Sequence, residues 1–281
     1  MLGHKLYQVM GEKFDVLGTV RSELGAIDRF GFYKHGSMIE NVNGADPGMV
    51  RHAIETVRPD CVINAVGVIK QVPASKDVIH ALTLNSILPH RLAELSTEFG
   101  FRLITISTDC VFDGSKGNYS EDDTPDARDL YGISKLFGEI TQENSLTIRT
   151  SIVGRELTTG HSILEWFLNN PESTVKGYTH AIYSGFPTIV LAELISEIIT
   201  DHQDLQGLYH VSSEPISKFD LLTLFQKHYQ KRATIEPFHD YVIDRSLDSS
   251  RFRSATGFQP QSWDEMVARM AADPTPYDQW H

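Results

Sequence analysis

The sequence predicts an α/β fold, in which helices cover both faces of a parallel sheet. Short runs of apolar, β-branched residues alternate with amphipathic segments along the first half of the 281-residue chain, as in sheets buried on both faces. We expect buried strands at 61–66, 103–107 and 146–149. Asp46 and Pro47 combine a capping carboxylate with a first-turn proline, which predicts a helix as far as Val57. The alternation therefore favours a doubly wound parallel sheet.

Further elements complete the predicted organisation. Another strand is expected at Phe14–Val20, and a long helix at Leu82–Phe99 should bend at Pro89. In the second half the alternation weakens, which suggests a smaller lobe. Amphipathic helices are expected there at 189–200, 218–229 and 262–272. We therefore divide the chain into a sheet domain, 1–151, and a second lobe, 152–281.

Composition and charge restrict the class of protein. The formal net charge of -12 argues against a nucleic-acid partner and provides no basic stripe for a membrane surface. No segment approaches the roughly 20 apolar residues of a membrane helix, and no signal peptide is visible. The two cysteines, Cys61 and Cys110, suggest reduced thiols in the cytoplasm. The histidines lack the spacing of metal ligands, so we expect no metal site.

Three residues form a pattern that suits carbonyl reduction. Thr108 follows the strand predicted at 103–107, and Tyr131 and Lys135 lie four residues apart on a predicted helix, where they share one face. A tyrosine phenol can supply a proton at neutral pH when an adjacent ammonium lowers its pKa from about 10. A hydroxyl at the end of the strand can hold the substrate oxygen in line with the phenol. The combination predicts a catalytic site at the end of this strand.

Six segments in the same order carry a family resemblance. They are R-P-D-C-V-I-N-A at 58–65, S-T-D-C-V-F-D-G at 107–114, Y-G-I-S-K at 131–135, I-R-T-S at 148–151, G-F-P-T at 185–188 and G-L-Y-H at 207–210. Together they resemble the extended short-chain dehydrogenase/reductases, and specifically the dTDP-4-dehydrorhamnose reductase family. The resemblance covers most of the chain from about residue 46 and implies a Rossmann-type fold, with residues 152–281 mainly binding substrate.

The resemblance also implies a reaction. In that family a hydride from NAD(P)H reduces the 4-keto group of a nucleotide-activated deoxysugar, as a step in making cell-surface polysaccharide sugars. Tyr131 would supply the proton, Lys135 would lower its pKa and hold the coenzyme ribose, and Thr108 would polarise the carbonyl. Asp109 matches the family residue beside this threonine, although it could simply cap the loop. Cys110 departs from the family, which usually has tyrosine there, and is expected to alter the pocket wall.

The beginning of the chain resembles the last third of a dinucleotide-binding glycine turn and the helix after it. Gly3 would be the third glycine of the fingerprint, and His4 would follow it beside the coenzyme. The first strand and the first two glycines are not seen in the sequence. Both a start assigned too late and a truncated paralogue stay open. Without that strand, the second and fourth strands should lie too far apart to pair.

The end of the second strand bears on the choice of coenzyme. An acidic residue there would bind the ribose of NADH, whereas Arg21 suits the 2'-phosphate of NADPH, unless it is a solvated loop cation. We therefore expect NADPH, with NADH as the alternative. The other coenzyme-binding residues implied by the resemblance are Asn64, Ala65, Gly67, Asn85 and Ser107. Simple turn chemistry could also explain Asn64 and Gly67.

The resemblance also suggests residues that bind the substrate. They are Lys70, Gln71, Val111, Phe112, Ser151, Phe186, Pro187, Thr188 and Arg245. Arg245 and Arg251 are candidates for binding a diphosphate, although either could be a surface ion-pair partner. Lys70 and Gln71 could equally be solvated, and Pro187 could simply begin a helix.

Three functions stay open for a chain of this kind. The first is the reductase with a nucleotide-sugar substrate, and the second is an epimerase that oxidises and re-reduces the same sugar. The third is a truncated, non-catalytic paralogue that acts as a binding or regulatory subunit. A homodimer is compatible with the sequence, which does not reveal the oligomeric state, the sugar or the nucleotide.

Overall fold

Four parallel strands form the central sheet of the molecule. In the computed structural model, which describes residues 1–34, 36–70 and 76–280, the strand order is β3–β4–β5–β9. Their bounds are β3, Cys61–Asn64; β4, Arg102–Thr108; β5, Ser145–Thr150; and β9, Gly207–His210. The predicted α/β fold with a Rossmann-type parallel sheet is thus confirmed. Because β9 comes from the second half of the chain, the sheet draws on both sides of the boundary expected at residue 151.

The two inner strands carry the sheet's core. Leu103 and Ile104 in β4 are completely buried, as is Ile148 in β5. In contrast, Cys61 and Ile63 in β3 remain partly exposed. Burial on both faces explains why β4 does not alternate apolar and polar residues as a half-exposed strand would.

A second, separate parallel pair lies near the N-terminus. Its strands, β1 at Gly18–Thr19 and β2 at Met38–Ile39, pair only with each other among the described residues. The predicted strand Phe14–Val20 was therefore too long, because only two of its residues enter a ladder. The expectation that the second and fourth strands would not pair is confirmed, since β1 and β3 belong to different sheets in the described part.

The helices of the first half lie close to the predicted positions. They are α1, Leu2–Met10; α2, Pro47–Val57; α3, Val78–Leu82; α4, Leu88–Phe99; and α5, Leu130–Leu136. The prediction for α2 is confirmed, with the Asp46 carboxylate accepting from two first-turn amides at 2.8 and 3.1 Å. The prediction of a single helix at 82–99 was wrong in one respect. A π-helical turn at Thr83–Ile87 interrupts it, and Pro89 lies in the first turn of α4 rather than at a bend.

The second half adds a small sheet and five helices. Its strands are β6, Ile152–Val153; β7, Thr174–Tyr183; β8, Phe186–Pro187; β10, Ile216–Ser217; and β11, Thr234–Asp244. Strands β10, β7 and β11 form a three-stranded sheet, and β6 pairs with β8. The helices are α6, Ile163–Asn169; α7, Thr188–Asp201; α8, Lys218–Tyr229; α9, Ser250–Thr256; and α10, Trp263–Ala271. The three helices predicted here are thus confirmed as α7, α8 and α10.

The C-terminal segment closes over the first helix. Lys5 donates to Asp273 at 2.5 Å, and His4 Nε2 lies 2.8 Å from the Tyr277 hydroxyl. All the charged atoms of the Lys5–Asp273 pair are nearly buried, with side chains 4% and 8% exposed. These contacts join α1, at the beginning of the chain, to the C-terminal segment. None of the helices in the described ranges is long and apolar enough to cross a membrane.

Candidate active site

The turn after β4 arranges the first catalytic candidate. The Thr108 hydroxyl donates to Asp109 Oδ1 at 3.1 Å and accepts from the Cys110 amide at 3.2 Å. These contacts fix the hydroxyl at the carboxyl end of a parallel strand, where doubly wound folds bind ligands. Thr108 and Asp109 are each 6% exposed.

Helix α5 brings the phenol to this hydroxyl. The Asp129 carboxylate caps the helix by accepting from the Gly132 amide at 3.1 Å. Gly132 permits the close approach, because a Cβ there would lie 2.2 Å from the carbonyl oxygen of Cys110. Tyr131 can therefore hydrogen-bond to Thr108. Burial raises the pKa of Tyr131 above its ordinary value, and this hydrogen bond opposes part of that shift.

Lys135 lies one turn further along the same helix. Its ammonium donates to the carbonyl oxygen of Ile106 at 2.6 Å, next to the end of β4. Burial lowers the pKa of Lys135 to about 8, while the nearby Glu139 carboxylate acts to raise it. The ammonium is thus positioned by a backbone contact and shifted towards the neutral pH range.

Asn85 connects this helix to the loop after β3. Its side chain accepts from the Val68 amide at 2.8 Å and donates to the Val68 carbonyl at 3.1 Å and the Ser134 hydroxyl at 3.0 Å. The residue lies within the π-helical turn, a feature that frequently occurs at functional sites. Gly67 lies against it, because a Cβ at Gly67 would be 3.0 Å from Asn85 Oδ1 and 3.9 Å from Lys135 Nζ.

Several features fit a nicotinamide coenzyme at this edge of the sheet. Asn64 ends β3, and its Nδ2 atom is buried without a hydrogen-bond partner among the described residues. Ala65 and Gly67 are exposed beside it. At the start of α1, Gly3 is also exposed, with open space where a Cβ would point, as a phosphate at a helix N-terminus would need.

Three other predicted coenzyme-binding residues differ in their exposure and contacts. The His4 ring is buried against Tyr277, and burial lowers its pKa to about 2, so only its backbone could meet a ligand. Arg21 is exposed just after β1. The Ser107 hydroxyl donates inward to Glu139 at 2.7 Å, away from the open edge.

The candidate substrate residues separate into two groups. Lys70 donates to Asp129 at 2.9 Å at the exposed start of α5, whereas Gln71 lies outside the described residues. Val111 and Phe112 are completely buried, so their side chains pack beneath the loop and do not reach its surface. The Phe112 carbonyl accepts from Arg245 Nε at 2.8 Å.

The segment 185–188 packs closely against the strand after β5. The Ser151 carbonyl accepts from the Phe186 amide at 2.9 Å, and Phe186 is completely buried. Pro187 and Thr188 are also buried, where β8 passes into α7. Of the remaining cation candidates, Arg251 lies over the Tyr209 ring at 4.9 Å.

The sequence prediction missed one cation at the site. Lys218 begins α8, and its ammonium lies 4.8 Å from the centre of the Tyr183 ring. Burial raises the pKa of the Asp109 carboxyl, while the charges of Arg245 and Lys218 act to lower it. Asp109 therefore links the turn after β4 with two cations from the second half. No sequence motif marked Lys218, because its neighbours come together only through the fold.

The family whose description is "RmlD substrate binding domain" matches residues 1–275. The chain belongs to this family. The resemblance inferred from the six segments is thus confirmed. The matched residues therefore include the ends of the sheet strands, helix α5 and Lys218 in the second half of the chain.

Similar proteins agree with this membership. The spore coat polysaccharide biosynthesis protein SpsK of Bacillus subtilis (strain 168) is 28% identical over 248 residues, 80% of this chain and 83% of that protein. A dTDP-4-dehydrorhamnose reductase of Aggregatibacter actinomycetemcomitans is 26% identical over 253 residues, 80% of this chain and 84% of that protein.

Solved structures share the fold. The structure of a hypothetical dTDP-4-dehydrorhamnose reductase from Sulfolobus tokodaii has a TM-score of 0.75 at 26% identity, and the match covers 94% of each chain. The dTDP-4-dehydrorhamnose reductase from Bacillus anthracis, solved in complex with NADP, has a TM-score of 0.74 at 21% identity, with 92% of this chain and 98% of that chain covered. The second likeness concerns the fold alone.

Proposed function

We propose that the chain is an NADPH-dependent reductase of the 4-keto group of a nucleotide-linked deoxysugar, acting in cell-surface polysaccharide synthesis. The observation that carries this proposal is the Thr108 hydroxyl held between Asp109 and Tyr131, with Lys135 one turn away. Membership of a family whose relatives include a sugar-nucleotide reductase and a polysaccharide biosynthesis protein supports it.

The reacting carbonyl would be held by two hydroxyls. NADPH would supply the hydride to the keto carbon. Tyr131 would donate its phenolic proton to the developing alkoxide. Thr108 would redirect its single hydroxyl proton from Asp109 to the same oxygen and hold it by a hydrogen bond. Lys135 would stabilise the phenolate that Tyr131 leaves behind, because an ammonium favours the charged form of a neighbouring acid.

The two halves of the chain would contribute different contacts. Residues 1–151 would supply the coenzyme face, with Gly3, Asn64 and Gly67 as backbone or small-residue contacts. Residues 152–281 would mainly supply the substrate face. Arg21 supports NADPH over NADH because it is an exposed cation directly after β1.

A direct assay tests the proposal. Purified protein is incubated with NADPH and dTDP-4-dehydrorhamnose, and both coenzyme oxidation and the sugar product are measured. Tyr131→Phe should reduce turnover by about 10² or more while binding of the nucleotide-sugar is kept. Tyr241→Phe is the matched control, since Tyr241 is 49% exposed on β11 and should leave turnover unchanged. Equal turnover by the wild type and Tyr131→Phe would reject the assignment.

A binding or regulatory subunit is the second candidate function. The separate β1–β2 sheet favours it, because the coenzyme side of the molecule lacks a continuous ladder across the described strands. The same assay distinguishes the two functions. A folded wild-type protein that binds the nucleotide-sugar without oxidising NADPH would favour the subunit.

We also propose a cytoplasmic homodimer. Cys61 and Cys110 are free thiols, which agrees with a reducing compartment. Large apolar side chains are exposed on α3, at the end of the π-helical turn and just after α5, with Ile79 at 79%, Ile87 at 51% and Phe137 at 60%. Light scattering on the wild type and on Phe137→Asp tests this pairing, and a wild-type monomer at micromolar concentration would reject it.

A further inference from the structure

A buried ion pair lies beneath the proposed catalytic residues. Arg149 in β5 donates from Nε and Nη2 to the two carboxylate oxygens of Glu139, at 2.8 and 2.7 Å. Their side chains are 5% and 7% exposed. Burying two charges is costly, and bidentate geometry with further hydrogen bonds offsets that cost. The reaction proposed above gives this pair no role.

Glu139 and Lys135 hold consecutive residues of the same strand. The Lys135 ammonium donates to the Ile106 carbonyl at 2.6 Å, and the Ser107 hydroxyl donates to Glu139 Oε1 at 2.7 Å. Lys135 lies in the last turn of α5, and Glu139 follows just beyond the end of that helix. The carboxylate and the ammonium therefore each bind a residue at the end of β4, and the carboxylate acts on the ammonium through its charge.

The charged surroundings of Lys135 come from few elements. Glu139 acts on it from the same segment, and Arg149 reaches that carboxylate from β5. From the π-helical turn the neighbour is the uncharged Asn85, and Tyr131 lies on its own helix. Burial lowers the pKa of Lys135 to about 8, and Glu139 is the charge that opposes this shift.

The histidine ring on the far side of the pair is neutral. Arg149 Nη1 lies 3.2 Å from His210 Nε2, and His210 Nδ1 lies 2.9 Å from the Tyr119 carbonyl oxygen. Burial and the Arg149 charge lower the pKa of His210 to about 4, so the ring is uncharged at neutral pH. Its Nδ1 then donates to Tyr119, and Nε2 accepts from Arg149. Glu139 is thus the carboxylate that pairs with Arg149 and that also acts on Lys135.

We propose that Glu139 is a positioning residue, which keeps the Lys135 ammonium charged and seated at the end of β4. Arg149 and Ser107 fix the carboxylate in the orientation that this requires. The inference rests on the proposed function only where it assigns Lys135 to the reaction. The electrostatic pairing itself is a property of the free protein.

The charge state of Lys135 can be measured without substrate. In protein labelled at the lysine side chains, its NMR signal is identified by its loss in Lys135→Arg and followed against pH. Glu139→Gln keeps the shape and removes the charge, so the pKa of Lys135 should fall by about one unit. Glu143→Gln is the matched control, because it removes an exposed carboxylate from the same stretch of chain that is not among the charges acting on Lys135, and it should cause no such shift.

A second variant is needed if Glu139→Gln unfolds the protein by leaving Arg149 buried without a charged partner. Glu139→Gln with Arg149→Met removes both charges, so the pKa of Lys135 should fall below that of the wild type but less than in the single variant. The alkaline limb of the turnover profile should move to lower pH in the same order. An unchanged pKa of Lys135 in either folded variant overturns the inference. Absence of turnover in the wild type would instead count against the reductase alone, because the titration needs no reaction.

Discussion

The strands on the proton-transfer side of this molecule form a longer and more deeply buried ladder than those on the coenzyme side. Strands β4 and β5 pair over six residues and are buried along almost their full length. Strands β1 and β2 pair over two residues, and both are at most half-buried. The contrast teaches that the groups proposed to do chemistry are attached to a long, buried ladder, whereas the region proposed to hold the adenosine end of the coenzyme rests on a short ladder near the surface.

Hydrogen exchange should reveal this contrast most strongly. Amides in the ladder between β4 and β5 should open only with global unfolding, while those of Gly18 and Met38 should open by local fluctuation. We expect the amide exchange rates of the two regions to differ by roughly a thousandfold or more, which corresponds to a difference of about 4 kcal/mol in opening free energy. Native-state exchange followed by mass spectrometry measures it. Similar protection in the two regions would mean that the N-terminal pair is part of the same cooperative unit.

Two glycines allow a matched test of packing on the two sides. A Cβ at Gly138 would lie 1.9 Å from the Asn85 carbonyl oxygen, while a Cβ at Gly3 would meet nothing within 4 Å. Gly138→Ala should therefore lower the free energy of unfolding by about 3 kcal/mol, since backbone must move. Gly3→Ala should leave it unchanged or raise it by up to about 1 kcal/mol through helix propensity. Urea unfolding measures both, and equal effects would contradict the difference in packing.

The sequence predicted the well-packed side with the smaller errors. Apolar runs predicted β4 and β5 because both strands are buried on both faces, and Asp46 predicted α2 because a cap acts locally. The strand at Phe14–Val20 was overestimated, since ladder length depends on a partner strand that propensity does not reveal. The π-helical turn at Thr83–Ile87 was missed because one extra residue per turn leaves the apolar pattern nearly unchanged.

The candidate site shows the same division. Thr108, Tyr131 and Lys135 could be predicted because spacing within a strand and a helix places them. Lys218 and Arg149 could not, since their partners come from distant segments that only the fold assembles. A signal for Glu139 was present, four residues after Lys135, but the same spacing is common on solvated helices.

The coenzyme side can be examined through Arg21. If its exposed guanidinium binds the 2'-phosphate, NADPH should bind more tightly than NADH by about ten- to a hundredfold, the equivalent of roughly 1.5–3 kcal/mol. Arg21→Ala should remove most of that preference and leave NADH affinity unchanged. Fluorescence titration with both coenzymes measures it. Arg29→Ala is the control, because Arg29 lies over the Phe30 ring at 4.9 Å and has no assigned coenzyme contact. Equal affinities in the wild type would exclude the role of Arg21.

The smallest expected effect concerns the two cations near Asp109, Arg245 and Lys218. Arg245 is engaged with the carbonyls of Phe112 and Asp113 at 2.8 and 3.3 Å, so it is better placed to hold the loop than to bind a diphosphate. Burial lowers the pKa of Lys218, and Asp109 opposes this shift. A dianionic substrate group would favour the charged form further and gain a contact with Lys218.

Lys218→Met should therefore raise KM for the nucleotide-sugar by about tenfold, the value of one charge-assisted contact at the lower end of its range, with kcat nearly unchanged. Coenzyme affinity should not change, because Lys218 is not among the predicted coenzyme-binding residues. Lys227→Met on the same helix is the matched control, since its side chain is 60% exposed and pairs with Asp264 at 2.6 Å. If kcat falls while KM stays constant, Lys218 acts on the reacting groups through Asp109 instead, and the substrate contact is wrong. A loss of coenzyme affinity equal to the loss for substrate would show that the two sides of the molecule are coupled more closely than their separate sheets indicate.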